Sequence, residues 1–247
     1  MQNDLKSYFI YGKHSTLSAL QNKNRKIIKA LCTQEFWENA IFKKYILQKK
    51  FQLTSRAELD KLLGTNSIHQ GIAIETMPIT SQDFKSINLS LDQIIIIIDK
   101  ITDQQNFGSI LRSAVTFGVN TIITSSKHCV RENASLAKAA SGALEFVNIV
   151  EVVNINQIIE ILKKHHFWID GLDHEGKTYT HQYKAPSKLD IVLGSEDQGI
   201  SKLTKQKCDI LIKIPMLQNQ IIDSLNVGVA TGICLYELFK SKIHQSS

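Results

Sequence analysis

The chain has 247 residues, 43% of them apolar and 21% charged, which excludes a wholly disordered polypeptide and leaves ample material for a core. The formal net charge of +6 is unevenly carried: residues 1–90 hold 13 Lys/Arg against 7 Asp/Glu, and residues 91–247 are balanced. A basic first third beside a neutral remainder points to a domain that meets a polyanion. No apolar run approaches the roughly 18 residues of a membrane span, and the first residues lack the layout of a signal peptide. Cys32, Cys129, Cys208 and Cys234 form no close pair, so neither a zinc site nor a disulfide framework is expected, and a reducing cytoplasm is the default setting.

In chain order, Tyr8–Tyr11 predicts a strand and Gly12 a turn. His14–Leu20 reads as a helix, Lys26–Thr33 as a strand and Glu35–Leu47 as one continuous helix. Arg56–Leu63 predicts a further helix stopped by Gly64, and Gly71–Glu75 a strand. Residues 1–77 thus form a small α/β domain, and the polar stretch 78–92 reads as a linker. In residues 93–247, strands are expected at Ile94–Ile98, Asn120–Ser125, Phe146–Val150, Phe167–Leu172, Asp190–Gly194 and Ile210–Ile214. Helices are expected at Asn106–Phe117, Asn133–Leu144, Ile155–His165, Ser201–Cys208 and Ser224–Lys242. This alternation predicts a mostly parallel sheet covered on both faces.

Such sheets bind ligands at the carboxyl ends of their strands, and three loops there carry unusual chemistry. The first runs Asp99-Lys100-Ile101-Thr102-Asp103-Gln104-Gln105-Asn106-Phe107-Gly108-Ser109-Ile110-Leu111-Arg112-Ser113-Ala114. Taken singly, Asn106 reads equally as a helix cap and Arg112 as a surface cation. The second runs Leu193-Gly194-Ser195-Glu196-Asp197-Gln198-Gly199-Ile200, with two glycines around an acidic pair. The third is Ile214-Pro215-Met216, a variable stretch, then Ser224-Leu225-Asn226-Val227-Gly228-Val229-Ala230. Ser224 is a good N-cap type, and Gly228 and Gly232 give the closing helix one small face. Two helical glycines, each costing roughly 1 kcal/mol against alanine, indicate very close packing by another helix, a subunit or a backbone.

In order and spacing the three loops resemble the signature motifs of the SpoU-type RNA 2′-O-ribose methyltransferases, the TrmH-like family of the SPOUT superfamily. The resemblance covers about residues 94–240. Tyr11-Gly12-Lys13-His14 and His69-Gln70-Gly71-Ile72-Ala73 are similar to the start and end of that family's L30-like substrate-binding domain. Gln104 stands where the family has proline, and the stretch from Ile214 to Leu225 is about two residues longer than in the branch most resembled.

The resemblance implies a SPOUT-type parallel sheet with a C-terminal trefoil knot, a homodimer, and S-adenosylmethionine as methyl donor without metal. It implies 2′-O-methylation of a guanosine ribose in large-subunit (23S) ribosomal RNA. Transfer RNA as substrate, and a non-catalytic RNA-binding or ribosome-assembly protein on the same fold, are the alternatives. The implied catalytic constellation is Asn106, Arg112, Glu196, Ser224 and Asn226, with Glu196 orienting Arg112 or facing the RNA. Leu193, Gly194, Ile214, Met216, Ser224 and Leu225 would hold the cofactor, and the Gly228/Gly232 face suits the dimer interface. Lys13, Lys23, Arg25, Lys26 and Lys29 are the expected RNA-binding cluster, phosphate contacts supplying affinity.

Overall fold

The computed structural model describes residues 6–48, 51–217 and 224–245. The chain divides into two units, Met1–Thr80 with Arg131–Glu145, and Ser81–Val130 with Phe146–Ser247.

The N-terminal elements run β1 (Tyr8–Tyr11), α1 (Lys13–Gln21), β2 (Ile27–Cys32), α2 (Gln34–Trp37), α3 (Ala40–Gln48), β3 (Gln52–Leu53), α4 (Arg56–Leu63) and β4 (Ile72–Thr76). They build a mixed sheet of order β1-β4-β2-β3, with β4 antiparallel to both neighbours and β3 parallel to β2. The single helix expected at Glu35–Leu47 is broken in two. Asn39 is the cause: its Oδ1 accepts from the Ile41 amide at 3.1 Å and its carbonyl from Phe42 and Lys43, so it starts a new helix. A capping box starts α4. Ser55 Oγ accepts from the Glu58 amide at 3.2 Å and the Glu58 carboxylate accepts from the Ser55 amide at 2.9 Å.

The rest of the chain runs β5 (Ile94–Ile98), α5 (Gln104–Thr116), β6 (Thr121–Ser125), α6 (Ala134–Ala140), β7 (Asn148–Val152), α7 (Ile155–Lys164), β8 (Trp168–Leu172), β9 (Thr178–Tyr179), β10 (Leu189–Leu193), α8 (Lys202–Lys207), β11 (Ile210–Lys213) and α9 (Val227–Gln245). Seven of these strands form one parallel sheet of order β7-β6-β5-β10-β8-β11-β9. The isoleucines Ile95–Ile98 are fully buried, as a strand covered on both faces requires. One face packs Ile95, Ile97, Val192 and Ile169 on Ile155, Ile158, Ile159 and Leu162 of α7. β3 and β9 are two residues each, too short to leave an alternation in the sequence.

Two segments sit differently from the sequence reading. Residues 78–92 are not a bare linker: Gln82 bridges to Val150, and Phe84, Ile87 and Leu89 pack on the large core. Residues 131–145, read as part of the second domain, join the first, where α6 packs on β1 and α1. Arg25 fixes that arrangement. Its guanidinium is fully buried, gripping Glu145 through two bonds of 2.6 and 3.1 Å, pairing with Glu132 and donating to the Met77 carbonyl at 3.1 Å.

Two carboxylates on strands of the second unit, Asp170 and Asp190, are fully buried. Asp190 has no hydrogen-bond partner among the described residues, and its carboxyl is pushed well above the usual range by burial and then by the Asp170 charge. Asp170 is pushed up to about 7, chiefly by burial, against a lowering contribution from Tyr183. The register sets Asp190 beside Ile169 and Asp170 beside Ile191, so the two face opposite sides of the sheet.

Candidate active site

The carboxyl ends of β8, β10 and β11 open on one cavity of about 320 Å³. Leu193 ends β10 and Gly194 follows it, Ile214 and Met216 follow β11, and Ser224 and Leu225 precede α9; all six line this cavity. The structure thus gathers every residue expected to hold the cofactor. Residues 218–223, half of the lengthened stretch, lie outside the described residues.

Close backbone packing explains the two glycines of the second loop. A Cβ on Gly194 would lie 2.1 Å from the Gly199 carbonyl carbon and 2.2 Å from the Ile200 nitrogen, so no side chain fits. Gly199 has φ 64°, open to glycine at little cost. Ser195 and Gly199 exchange both backbone hydrogen bonds, at 3.2 and 2.9 Å, and close the loop on itself. Asp99, 3% exposed, anchors its far end by accepting from the Ser201 amide at 2.9 Å.

One side chain joins the three motifs. Asn226 Nδ2 donates to Asn106 Oδ1 and to Glu196 Oε1, both at 2.7 Å. Its Oδ1 accepts from the amides of Gly228 at 3.0 Å and Val229 at 3.3 Å. Asn226 therefore caps α9, which starts at Val227; Ser224, the expected cap, lies two residues upstream. Asn106 is likewise not the cap of α5. That helix begins at Gln104, and Asp103 Oδ1 accepts from the Asn106 amide at 2.8 Å. Gln104 occupies the first helical position, where proline is favoured but its missing amide is not required, so the turn is held without it.

Arg112 stands apart. It lies six residues beyond Asn106, about a third of a turn away around α5. It is exposed, and its guanidinium has no ion pair or hydrogen bond among the described residues. Of the two roles expected for Glu196, orienting Arg112 is not seen among the described residues; its Oε1 accepts from Asn226. The small face of α9 is also reassigned. A Cβ on Gly228 would meet Ser109 Oγ at 2.6 Å, and one on Gly232 would meet Ser113 Oγ at 3.3 Å, so this face packs on α5 of the same chain.

Of the expected RNA-binding cluster, Lys13, Lys23, Lys26 and Lys29 are exposed on the first unit. Arg25 is a correction: both edges of its guanidinium are taken by buried glutamates, leaving nothing for a phosphate.

Leu172, Asp173 and His174 also line the cavity and were not singled out from the sequence. They follow a predicted strand at the carboxyl edge of the sheet, which was the available signal. The Asp173 side chain is 1% exposed; burial opposes its charge, but bonds from Lys205 and the Glu175 amide hold its carboxyl below the usual range.

No helix among the described residues is long and apolar enough to cross a membrane. Residues 93–236 match the SpoU rRNA Methylase family, and residues 9–82 match its RNA 2′-O ribose methyltransferase substrate-binding domain. The chain is 34% identical over 243 residues to the 23S rRNA (guanosine-2′-O-)-methyltransferase RlmB of Coxiella burnetii, covering 94% of this chain and 95% of that one. It is 36% identical over 195 residues to the enzyme of the same name from Escherichia coli, covering 77% and 79%. The fold matches the SpoU methyltransferase AviRb from Streptomyces viridochromogenes, solved with AdoMet, at a TM-score of 0.80 and 18% identity, over 96% of this chain and 91% of that one. With a family model spanning more than half its length and both units accounted for, the chain belongs to the SpoU family of RNA 2′-O-ribose methyltransferases.

Proposed function

We propose that the protein moves the methyl group of S-adenosylmethionine onto the 2′-hydroxyl of a guanosine in large-subunit ribosomal RNA. The observation that carries this is Asn226, one amide tying Asn106, Glu196 and the start of α9 together beside the cavity. A nucleoside-sized donor suits that cavity, whose volume falls within the ordinary ligand range. Leu193, Ile214, Met216 and Leu225 would flank its adenine, and the backbone at Gly194 would offer hydrogen bonds. When bound, the donor supplies an electrophilic methyl on a positive sulfonium.

The chain's own residues must then place a ribose oxygen in line and accommodate loss of its proton. Arg112 is exposed and has no side-chain partner among the described residues, so it is available to grip an RNA phosphate or the ribose oxygen and to stabilise developing negative charge. It keeps its own proton, since a guanidinium rarely loses one. Asn106 and Glu196, both held by Asn226, would present fixed polar groups to the ribose. Ser224 would contribute at the cavity wall.

The ribosomal assignment is supported by the relatives at 34% and 36% identity, which are named as 23S rRNA (guanosine-2′-O-)-methyltransferases. In the first unit, exposed Lys13, Lys23, Lys26 and Lys29 would supply phosphate contacts. Val229, Ile233 and Tyr236, spaced four and three apart on α9, are 51%, 36% and 51% exposed and would form the homodimer contact. The cytoplasm, where ribosomes are made, would be the working compartment.

Mapping 2′-O-methyl positions in RNA from cells with and without the gene tests the reading. Loss of one methylated guanosine in large-subunit RNA is the expected result. Loss of a methyl only in transfer RNA, or no change anywhere, would overturn the substrate or the activity respectively.

A further inference from the structure

An ion pair behind the cavity wall joins the loop after β8 to helix α8. Asp173 follows β8, and its amide donates to the Ile212 carbonyl of β11 at 3.0 Å. Its Oδ1 accepts from the Glu175 amide at 3.0 Å, and its Oδ2 meets Lys205 Nζ at 2.9 Å. Lys205 Nζ also bonds Glu175 Oε2 at 2.7 Å. Lys205 lies on α8, and its own amide donates to the Ser201 carbonyl at 2.8 Å, one turn beyond the second motif loop. The same Asp173 Oδ2 is 3.4 Å from where a Cβ of Gly199 would stand, so this carboxylate packs under the loop Ser195–Gly199.

Lys205 does not line the cavity, whereas Asp173 does. The lysine is a quarter exposed and the carboxylate is almost wholly buried. Removing the lysine would leave the buried carboxylate with only the Glu175 amide and the more exposed His174 ring, 3.6 Å from its Oδ1, which costs more than the pair itself contributes. The carboxylate would turn towards water, and in doing so would carry the β8 loop away from the second motif. The loops on both sides of the donor would then move apart.

We propose that Lys205 is a positioning residue for the methyl-donor pocket, holding Asp173 so that the loops after β8 and β10 keep their spacing. This rests on the reading of the cavity as the donor site. Asn106 and Arg112 do not line the cavity, and Glu196, which does, is held independently by Asn226 at 2.7 Å, so the effect should fall chiefly on donor affinity.

The test uses the full chain, titrated with S-adenosylmethionine by calorimetry and assayed for RNA methylation. Lys205→Met should weaken donor binding and raise its KM about tenfold, as loss of an outer support does, while kcat at saturating donor stays within about twofold. The double variant Asp173→Asn/Lys205→Met removes the stranded charge and should recover affinity to within about threefold of the parent. Equal donor binding by Lys205→Met and the parent would overturn the proposal. So would a double variant no better than the single, because Lys205 or Asp173 would then act by direct contact. A parent protein that binds no donor would overturn the donor-site reading itself, and this inference with it.

Discussion

Gly228 and Gly232 receive the same substitution with opposite expected results. A methyl group on Gly228 meets Ser109 Oγ at 2.6 Å and Ser109 Cβ at 2.7 Å. The Cβ cannot rotate away, so α5 and α9 must separate, and overpacking of that kind costs about 1–3 kcal/mol. Gly228 lies in the first turn of α9, where the gain in helix propensity is smaller than in the interior. At Gly232 the only close atom is Ser113 Oγ at 3.3 Å, a hydroxyl that can turn aside. There the change from glycine to alanine should return about 0.5–1 kcal/mol of helix stability. Gly228→Ala should therefore be less stable than Gly232→Ala by about 2 kcal/mol. Urea unfolding followed by circular dichroism measures this directly. Adding Ser109→Gly to Gly228→Ala removes both clashing atoms, and the double-mutant cycle should show a coupling of about 1–3 kcal/mol. Methylation should fall with Gly228→Ala, because the shifted helix carries Asn226. Equal stability of the two alanine variants, or a coupling near zero, would refute the packing argument.

Arg112→Ala should abolish methylation with a stability change within about 0.5 kcal/mol, since an exposed side chain with no partner among the described residues is lost. Arg112→Lys should also be poor because lysine lacks the planar fork; single-turnover methylation and unfolding curves check both. Arg25→Met should cost about 3–5 kcal/mol in stability by stranding Glu132 and Glu145. An unchanged unfolding midpoint would return Arg25 to the RNA-binding set. Asp170, with a folded pKa of about 7 against an unfolded value near 3.9, binds its proton more tightly when folded. Its contribution is fully present below about pH 4 and is lost as pH rises to about 7. Asp170→Asn should therefore remove up to about 4 kcal/mol of the stability difference between pH 4 and pH 8, measured by denaturation at each pH.

The sequence by itself determined the parallel-sheet class, the three motif loops and the six residues Leu193, Gly194, Ile214, Met216, Ser224 and Leu225 of the cavity wall. It could do so because each rests on local pattern. A run such as Ile94–Ile98 fits only a strand buried on both faces, and loops after such strands gather at one edge of the sheet. The charge asymmetry was legible for the same reason, being a count along the chain.

What only the tertiary structure decided were pairings between residues far apart in sequence. Nothing local marks Arg25 as different from Lys23 or Lys26, yet it is buried by two glutamates more than 100 positions away. The same pairing draws residues 131–145 into the first unit, although they lie between β6 and β7 of the second unit's sheet. Asn226, in a stretch that reads as a loop-to-helix boundary, becomes the link between motifs 120 and 30 residues away, and the Gly228/Gly232 face meets α5 instead of a partner. A motif fixes which side chains are available. Which of them touch is set by how the strands are ordered in the sheet and how closely the helices pack, and neither is written in the spacing of residues along the chain.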